Sequence, residues 1–481
     1  MQSHDVIVVG GGPAGMMAAI TAARQGRAVL LLEKLPRPGA KLEASGGGRC
    51  NLTNTLDDEA FRARFGRAAG FLIPALAAFD HHDLLAFFAG LGVACHAPDG
   101  FHVFPVTHRA GTVVEALTAE MARLGITVTR GRRVTGLRRD DRRVTGVLAD
   151  GPVAVRETAA SRPHPWRPGG PFDGVSAGPL PSREEAVARG LPRRPEGPSD
   201  GMTDGHPGRV FLAPHVVLAT GGLGYPALGA EGDGYALARQ AGHTVTDLFP
   251  AMLPLRVRET WVRNCRADTI GKAVVRIVRP RGAPLQATGD LIFTADGIRG
   301  PVVLDLAREV TPLLAAHGEV PLRVNLVQGR DEEEARAALD AARRRAPQAP
   351  LADLLNALVP APLALELCRL AGCEPGAPVP RVPGEARDRL LKLLVATPLT
   401  VVGHDGFPAA MITRGGVSRK EIRPETLESR LLPGLFFAGE LVDLDGPCGG
   451  FNLQWAFSSG FLAGHLGAPP PRATPQTRAR P

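Results

Sequence analysis

Residues 5–33 read DVIVVGGGPAGMMAAITAARQGRAVLLLE. Residues 5–9 are a short apolar run with β-branched side chains, the composition of a buried strand. Glycines follow in the spacing Gly10-x-Gly12-x-x-Gly15, with Pro13 and Ala14 between the last two. A helix-like stretch, AGMMAAITAARQG, leads into a second apolar run that ends at Glu33. Strand, glycine turn, helix and strand make a βαβ unit. The first glycine permits a tight turn, the second lets the backbone approach a pyrophosphate, and the third allows close helix–strand packing. The helix N-terminus offers free N–H groups and a positive dipole end to phosphate. An acid about 20 residues beyond the glycines is placed to accept the hydroxyl protons of an adenosine ribose. Glu33 fills that position and would repel a 2′-phosphate, so NADP is disfavoured here and NAD or FAD remains. Lys34, beside it, is a further candidate contact.

The rest of the chain favours FAD. Ala219-Thr220-Gly221-Gly222 ends another apolar run mid-chain, so Thr220, Gly221 and Gly222 are candidate contacts. Near the C-terminus, GLFFAGELVDLDGPCGGFNLQWAFSSGFLAG runs through Gly439, Glu440 and Asp443 to Gly449-Gly450, which open a helix. Its first residues, Gly450, Phe451, Asn452 and Leu453, are placed to face flavin N1 and the C2 carbonyl, where the helix dipole favours negative charge. Glu440 and Asp443 also fit solvated turn acids. A third stretch, KLEASGGGRCNLTN (Lys41–Asn54), carries three consecutive glycines, costly in backbone entropy unless something approaches closely. It reads as a loop wrapped on the cofactor through Lys41, Ser45, Gly46, Gly47, Arg49, Cys50 and Asn51. Val134, where a later hairpin begins, completes the candidate contacts. The N-terminal glycine turn, the mid-chain strand end and the C-terminal cluster are three separated regions, which suits a long flavin dinucleotide.

The 481 residues are 44% hydrophobic and 22% charged, a globular balance that excludes global disorder. Net charge is +8, almost all of it arginine, and alanine, glycine and proline are abundant. GC-rich coding yields that bias, so basicity alone is a weak pointer to nucleic acid. The 5% aromatic content argues against long stacking platforms for single-stranded RNA. The N-terminus lacks a basic leader region, and no run of uninterrupted apolar residues is long enough to cross a membrane. The six cysteines are scattered without CxxC spacing, against a disulfide scaffold or zinc site; no metal is expected, and a reducing cytoplasm is the expected compartment.

Along the chain, 56–93 and 110–124 read as helical, and RRVTGL with RRVTGV as an antiparallel hairpin. Residues 156–209, dense in Pro, Gly, Ser and Arg, read as a disordered surface insertion. VFLAPHVVLATGG reads as one buried strand, 251–330 as short strands, 331–395 as helices, and the tail from 467 as frayed. The expected organisation is a first cofactor-domain segment (1–155), the insertion, a second segment (210–250), a β-rich insert (251–330), a helical insert (331–395), a return to the cofactor domain (396–466) and the tail (467–481).

These motifs, with FHVFP (101–105), GDGY (232–235), GDLIFTADGIRGP (289–301) and TRGGVSRKEI (413–422), resemble the bacterial NAD(P)/FAD-dependent oxidoreductases of the aminoacetone oxidase family. The resemblance spans nearly the whole chain. It implies an α/β fold: a glutathione-reductase-like Rossmann FAD-binding domain, discontinuous, interrupted by a β-barrel-like insert and a small helical insert. It also implies hydride transfer through flavin N5, as reduction of a C=C bond in a uridine of ribosomal RNA or a steroid-like enone, or as amine oxidation. Ala295 and Arg299 stand where the family carries His and Ser.

Three functions are open on the sequence: an FAD-dependent reductase or oxidase of a small molecule, an FAD enzyme that saturates a pyrimidine C5=C6 bond in ribosomal RNA, and a non-catalytic flavin-binding protein. The arginines at 132, 133, 138, 139, 142 and 143 are the feature that suits RNA. NAD(P)H, if the donor, must visit the flavin face transiently, because no second GxGxxG marks a site for it. C=C reduction needs an acid opposite hydride delivery; Cys448, His102, Tyr225 and Tyr235 are candidates, and the catalytic residue is not identified. Oligomeric state is not legible.

Overall fold

A computed structural model describes residues 4–151, 209–279 and 285–468. The expected insertion, apart from Arg209, and the tail beyond 468 lie outside the described residues.

The centre is a five-stranded sheet in the order Leu435–Phe437, His215–Leu218, Val6–Val9, Val29–Leu32, Thr127–Thr129. Every pairing is parallel. The strand VIVV is buried at all four positions, as a continuous apolar run in a parallel sheet requires. From the first strand the chain goes one way to Val29–Leu32, and the later strand His215–Leu218 adds on the other side. The switch point therefore lies outside the carboxyl ends of Val6–Val9 and His215–Leu218, where open α/β sheets bind ligands.

Two helices fix that crevice. The glycine-turn helix, Pro13–Arg24, starts with proline at its first position. The C-terminal helix, Phe451–Gly464, lies against it with almost every side chain buried. A Cβ at Gly460 would overlap the Ala14 carbonyl oxygen, and one at Gly464 would sit 2.6 Å from that of Ala18.

A second body is a closed antiparallel barrel: Leu255–Val257, Gly297–Arg299, Leu285–Phe293, Thr269–Ile277, Val320–Asn325 and Thr397–His404 in spatial order. It has its own hydrophobic core. Four helices, Glu332–Arg345, Leu351–Leu355, Ala361–Ala371 and Gly384–Ala396, interrupt it before its last strand. Asp331 opens the first with a capping box, exchanging bonds with Glu334 at 2.8 and 3.0 Å. A two-stranded ladder, Phe249–Ala251 with Ile412–Arg414, joins barrel and sheet.

The sequence reading needs two corrections. The stretch read only as short strands contains a 17-residue helix, Pro301–His317. Its Val302, Val303, Leu306 and Val310 recur at helical spacing and are buried. VFLAPHVVLATGG is two strands, because Pro214 breaks it; Arg209–Leu212 instead joins the hairpin as an edge strand. The apolar stretch Gly66–Gly90, of mean hydropathy 1.3, is long enough by composition to cross a membrane. It is broken at Phe79–Asp80, where Asp80 caps a new helix through a box with Asp83.

The helix contact yields a stability prediction. In an exposed helix Gly→Ala gains about 1 kcal/mol. Here the methyl meets backbone, and overpacking costs about 1–3 kcal/mol. Gly460→Ala is therefore expected to lower the urea midpoint, with wild-type stability as the contrary result.

Candidate cofactor cleft and active site

At the switch point the glycines divide into packed and open. Gly10 has φ +103°, and a Cβ there would lie 2.5 Å from the Ala219 carbonyl oxygen. One at Gly15 would overlap the Gly10 carbonyl. Gly12 and Gly221, in contrast, face no atom within 4 Å. The packed glycines hold the turn against the Ala219 strand end, while the open ones leave a cradle for a close-approaching group. No side chain caps the helix that begins at Pro13, so the first-turn amides of Ala14 and Gly15 stay available to phosphate. These residues fit a dinucleotide.

Glu33 does more than its sequence position suggests. Its Oε2 accepts the Gly11 amide at 2.6 Å and its Oε1 the Leu35 amide at 2.8 Å. The carboxylate staples the glycine turn to its own strand and keeps lone pairs for a ribose. Burial raises its pKa, against the lowering effect of these amides. Gly11 is thus a functional position that the fingerprint treats as a spacer. The Arg132 amide donates to the Glu33 carbonyl at 3.1 Å, which brings the chain leading to buried Val134 alongside. The Lys34 ammonium is taken by Glu231 at 2.9 Å and by Asp233, both of which also bind Arg133. Lys34 therefore ties strand to helix, with its charge compensated by protein. The Thr220 hydroxyl is buried without a hydrogen-bond partner among the described residues, against Gly234.

Two candidate segments meet at Glu440. Lys41 Nζ lies 2.8 Å from its Oε2, and the Thr413 amide donates to its Oε1 at 2.9 Å. A Cβ at Gly222 would come within 2.6 Å of that same Oε1. Gly439 abuts Ala14 of the glycine-turn helix. Its amide donates to Ser459 Oγ at 2.9 Å, and its carbonyl accepts Trp455 Nε1 at 3.0 Å. Trp455 and Ser459 are positioning residues that sequence reasoning missed; their i,i+4 spacing on the C-terminal helix was the available signal.

The glycine loop closes over the start of that helix. Gly46 and Gly47 are left-handed, at φ +58° and +66°, and Ser45 Oγ donates to the Leu42 carbonyl at 2.7 Å. The Arg49 guanidinium stacks 4.9 Å over the Phe104 ring. Oriented to donate to the Thr53 carbonyl at 2.9 Å, the Asn51 amide accepts the Gly450 N–H at 3.2 Å through its oxygen. Asn54 Nδ2 donates to the Gly449 carbonyl at 2.8 Å. Gly450 has φ +84°, and a Cβ there would overlap the Thr53 backbone. The obstacle to a side chain at Gly450 is therefore the Thr53 backbone. Phe451 packs on Phe61, ring centroids 4.8 Å apart. Asn452 folds back on Gly446, accepting its amide at 2.8 Å, and Leu453 packs against the sheet core. Asp443 faces Arg419, 3.9 Å away, across a neighbouring cavity.

Of the proton-donor candidates, two stand at the Gly449–Gly450 turn. His102 Nε2 would lie 3.5 Å from a Cβ at Gly449, and His102 Nδ1 meets Asp99 Oδ2 at 2.5 Å. Cys448 precedes that glycine; its amide donates to Asp305 at 2.7 Å, and burial pushes its thiol up to about 11. Tyr235 is buried elsewhere, beside Gly232, and desolvation raises its phenol. Tyr225, also raised by burial, heads the turn Pro226–Leu228.

Cys50 has no solvent exposure, and burial pushes its thiol up to about 12. In the folded protein at pH 8, iodoacetamide is expected to spare Cys50 and to reach the partly exposed Cys95 only slowly, since burial pushes that thiol up to about 11; rapid labelling of Cys50 in a peptide map would contradict its burial. Glu33→Ala removes charge-assisted acceptors worth about 1.5–3 kcal/mol each, so FAD affinity by calorimetry should fall at least about tenfold. Wild-type affinity would remove Glu33 from the site.

Residues 4–158 and 202–466 match the family model for the HI0933-like protein Rossmann domain. The chain is 30% identical to the 3-dehydro-bile acid delta(4,6)-reductase of Clostridium scindens, over 96% of this chain and 99% of that protein. It is 27% identical to the ribosomal RNA dihydrouridine synthase of Escherichia coli, over 95% of this chain and 96% of that one. Among solved structures, the 3-ketosteroid delta1-dehydrogenase of Sterolibacterium denitrificans aligns with a TM-score of 0.47 at 13% identity, over 97% of this chain and 99% of that one. With a family match over most of its length and a full-length relative, the chain belongs to the HI0933-like Rossmann family and is an FAD-dependent oxidoreductase.

Proposed function

We propose that the protein reduces a carbon–carbon double bond conjugated to a carbonyl in a small, steroid-like molecule, with NAD(P)H as a transient electron donor. The observation that carries this reading is the full-length likeness to a bile acid reductase, 30% identical with 99% of that enzyme covered. Bound FAD supplies the two-electron chemistry through its N5. The chain's own residues do the rest. The Ala14 and Gly15 amides hold the pyrophosphate, Glu33 the ribose, and Asn51 and Asn54 fix the Gly449–Gly450 turn. His102 and Cys448, beside that turn, are the groups placed to deliver the proton. Cys448 keeps its thiol proton at neutral pH, which suits an acid and not a base.

The RNA reading is supported by the full-length relative named as a dihydrouridine synthase. Against it, half of the arginine cluster is used locally. Arg133 binds Glu231 and Asp233, Arg132 donates to the Asp150 carbonyl at 3.0 Å, and Arg143 to that of Pro214 at 2.9 Å.

Anaerobic NADH or NADPH oxidation should be stimulated by a 3-oxo-4-ene steroid, whose product gains two hydrogens by mass spectrometry. Saturation of uridine in an rRNA fragment, with no turnover of any enone, would overturn the small-molecule reading.

A further inference from the structure

Beside the Gly446–Gly450 turn lies a cavity of about 420 Å³ that the cofactor reading does not use. That volume falls within the range of about 300–1,000 Å³ typical of small-molecule sites. Its walls come from four places: 64–68, the helix Pro301–His317, the segment from Arg414 to Arg419, and the turn Asp443–Asp445. Five arginines and three acids line it.

The acids are already matched. Asp445 pairs with Arg308 Nε at 2.9 Å, and Arg308 also donates to the Asp445 carbonyl at 2.9 Å. Both side chains are nearly buried, 14% and 10% exposed, so this pair clamps the barrel-side helix to the turn. Glu309 pairs with Arg414 at 2.8 Å. Asp443 meets Arg419 at 3.9 Å, a loose contact. Arg64 and Arg67, both exposed, have no side-chain hydrogen bond or ion pair among the described residues. A further acid, Asp305, acts on Arg64 and Arg308 through space, and its carboxylate accepts the Cys448 amide. A concavity lined by an excess of one charge focuses its field and concentrates counter-ions there. Guanidinium is also the group best shaped to take an oxyanion in bidentate fashion.

We infer that this cavity binds the anionic end of the substrate, a carboxylate, with Arg64 and Arg67 as its uncommitted ligands and Arg414 and Arg419 completing the shell. The inference rests on the enone reading and narrows it to an enone acid. The helix Pro301–His317 sets Asp305, which accepts the Cys448 amide, one turn before Arg308 of the cavity wall, so an elongated molecule with its acid among the arginines has its other end toward the Cys448–Gly450 turn. A neutral enone would leave the arginines unmatched, which makes the cavity a specificity determinant.

The test uses flavin-loaded protein, titrated by flavin absorbance with 3-oxo-4-cholenoic acid and with its methyl ester. The acid should bind at least about tenfold tighter, as a charge-assisted contact implies. In Arg64→Ala/Arg67→Ala, and more weakly in Arg67→Ala alone, the acid-to-ester ratio should fall toward one. Equal affinities in the wild type, or a ratio that survives in the double variant, would overturn the assignment. If no enone is reduced, the proposed reaction fails, and cholate, which has no double bond to reduce, still tests the cavity. Cholate should raise the melting temperature of the wild type and not of the double variant; no shift in either would overturn it. A single-stranded RNA oligonucleotide that displaces cholate through the same arginines would also overturn it, by assigning the cavity to backbone phosphate.

Discussion

Everything at the cleft depends on how closely the C-terminal helix lies against the glycine-turn helix. Gly460 over the Ala14 carbonyl and Gly464 over that of Ala18 let two backbones touch where side chains would hold them apart. That contact carries Trp455 and Ser459 onto Gly439, and Gly439 onto Ala14. It also delivers the helix start at Gly450 to the Asn51 loop. A pair of residues more than four hundred positions apart thereby becomes one wall of a site. Close packing of this kind is intolerant of even one methyl group, so the glycines there are structural necessities before they are cofactor contacts.

Charge is then distributed around that frame with little left over. Glu33 spends both oxygens on backbone amides, Glu440 answers Lys41 and Thr413, and Lys34 with Arg133 is neutralised by Glu231 and Asp233. The value of these part-buried pairs lies in register, since Lys34 and Arg133 tie the second strand and the hairpin to the helix Asp233–Gln240. Against that background the arginine cavity stands out because its cations exceed its acids.

Legibility followed distance along the chain. The glycine turn, its helix and Glu33 could be read because their geometry is local and their spacing carries it. The capping boxes of the helices opened by Asp80 and Asp331 are similarly local. The barrel's sixth strand, Thr397–His404, could not be joined to its partners by pattern alone, because four helices intervene. The helix Pro301–His317 was masked by β-branched valines at its start, which suit either element. At the site, the Thr53 backbone packed where a side chain of residue 450 would go is a contact that only the fold creates. Asp443 was grouped with Glu440 by proximity in sequence, yet it looks toward Arg419. Gly11, Trp455 and Ser459 act only through contacts formed by the fold. The family resemblance supplied what periodicity could not, namely that the separated glycine segments belong to one domain.

The central claim is that three glycine-rich segments, brought together at the switch point of the parallel sheet, hold one extended FAD. The most direct measurement is a crystal structure of the flavin-loaded protein. The account predicts the pyrophosphate on the Ala14 and Gly15 amides, the adenosine ribose at Glu33, and the ring system between the Gly46–Asn51 loop and the Gly449–Gly450 turn. Flavin found outside this cleft, or a ribose more than hydrogen-bonding distance from Glu33, would contradict it.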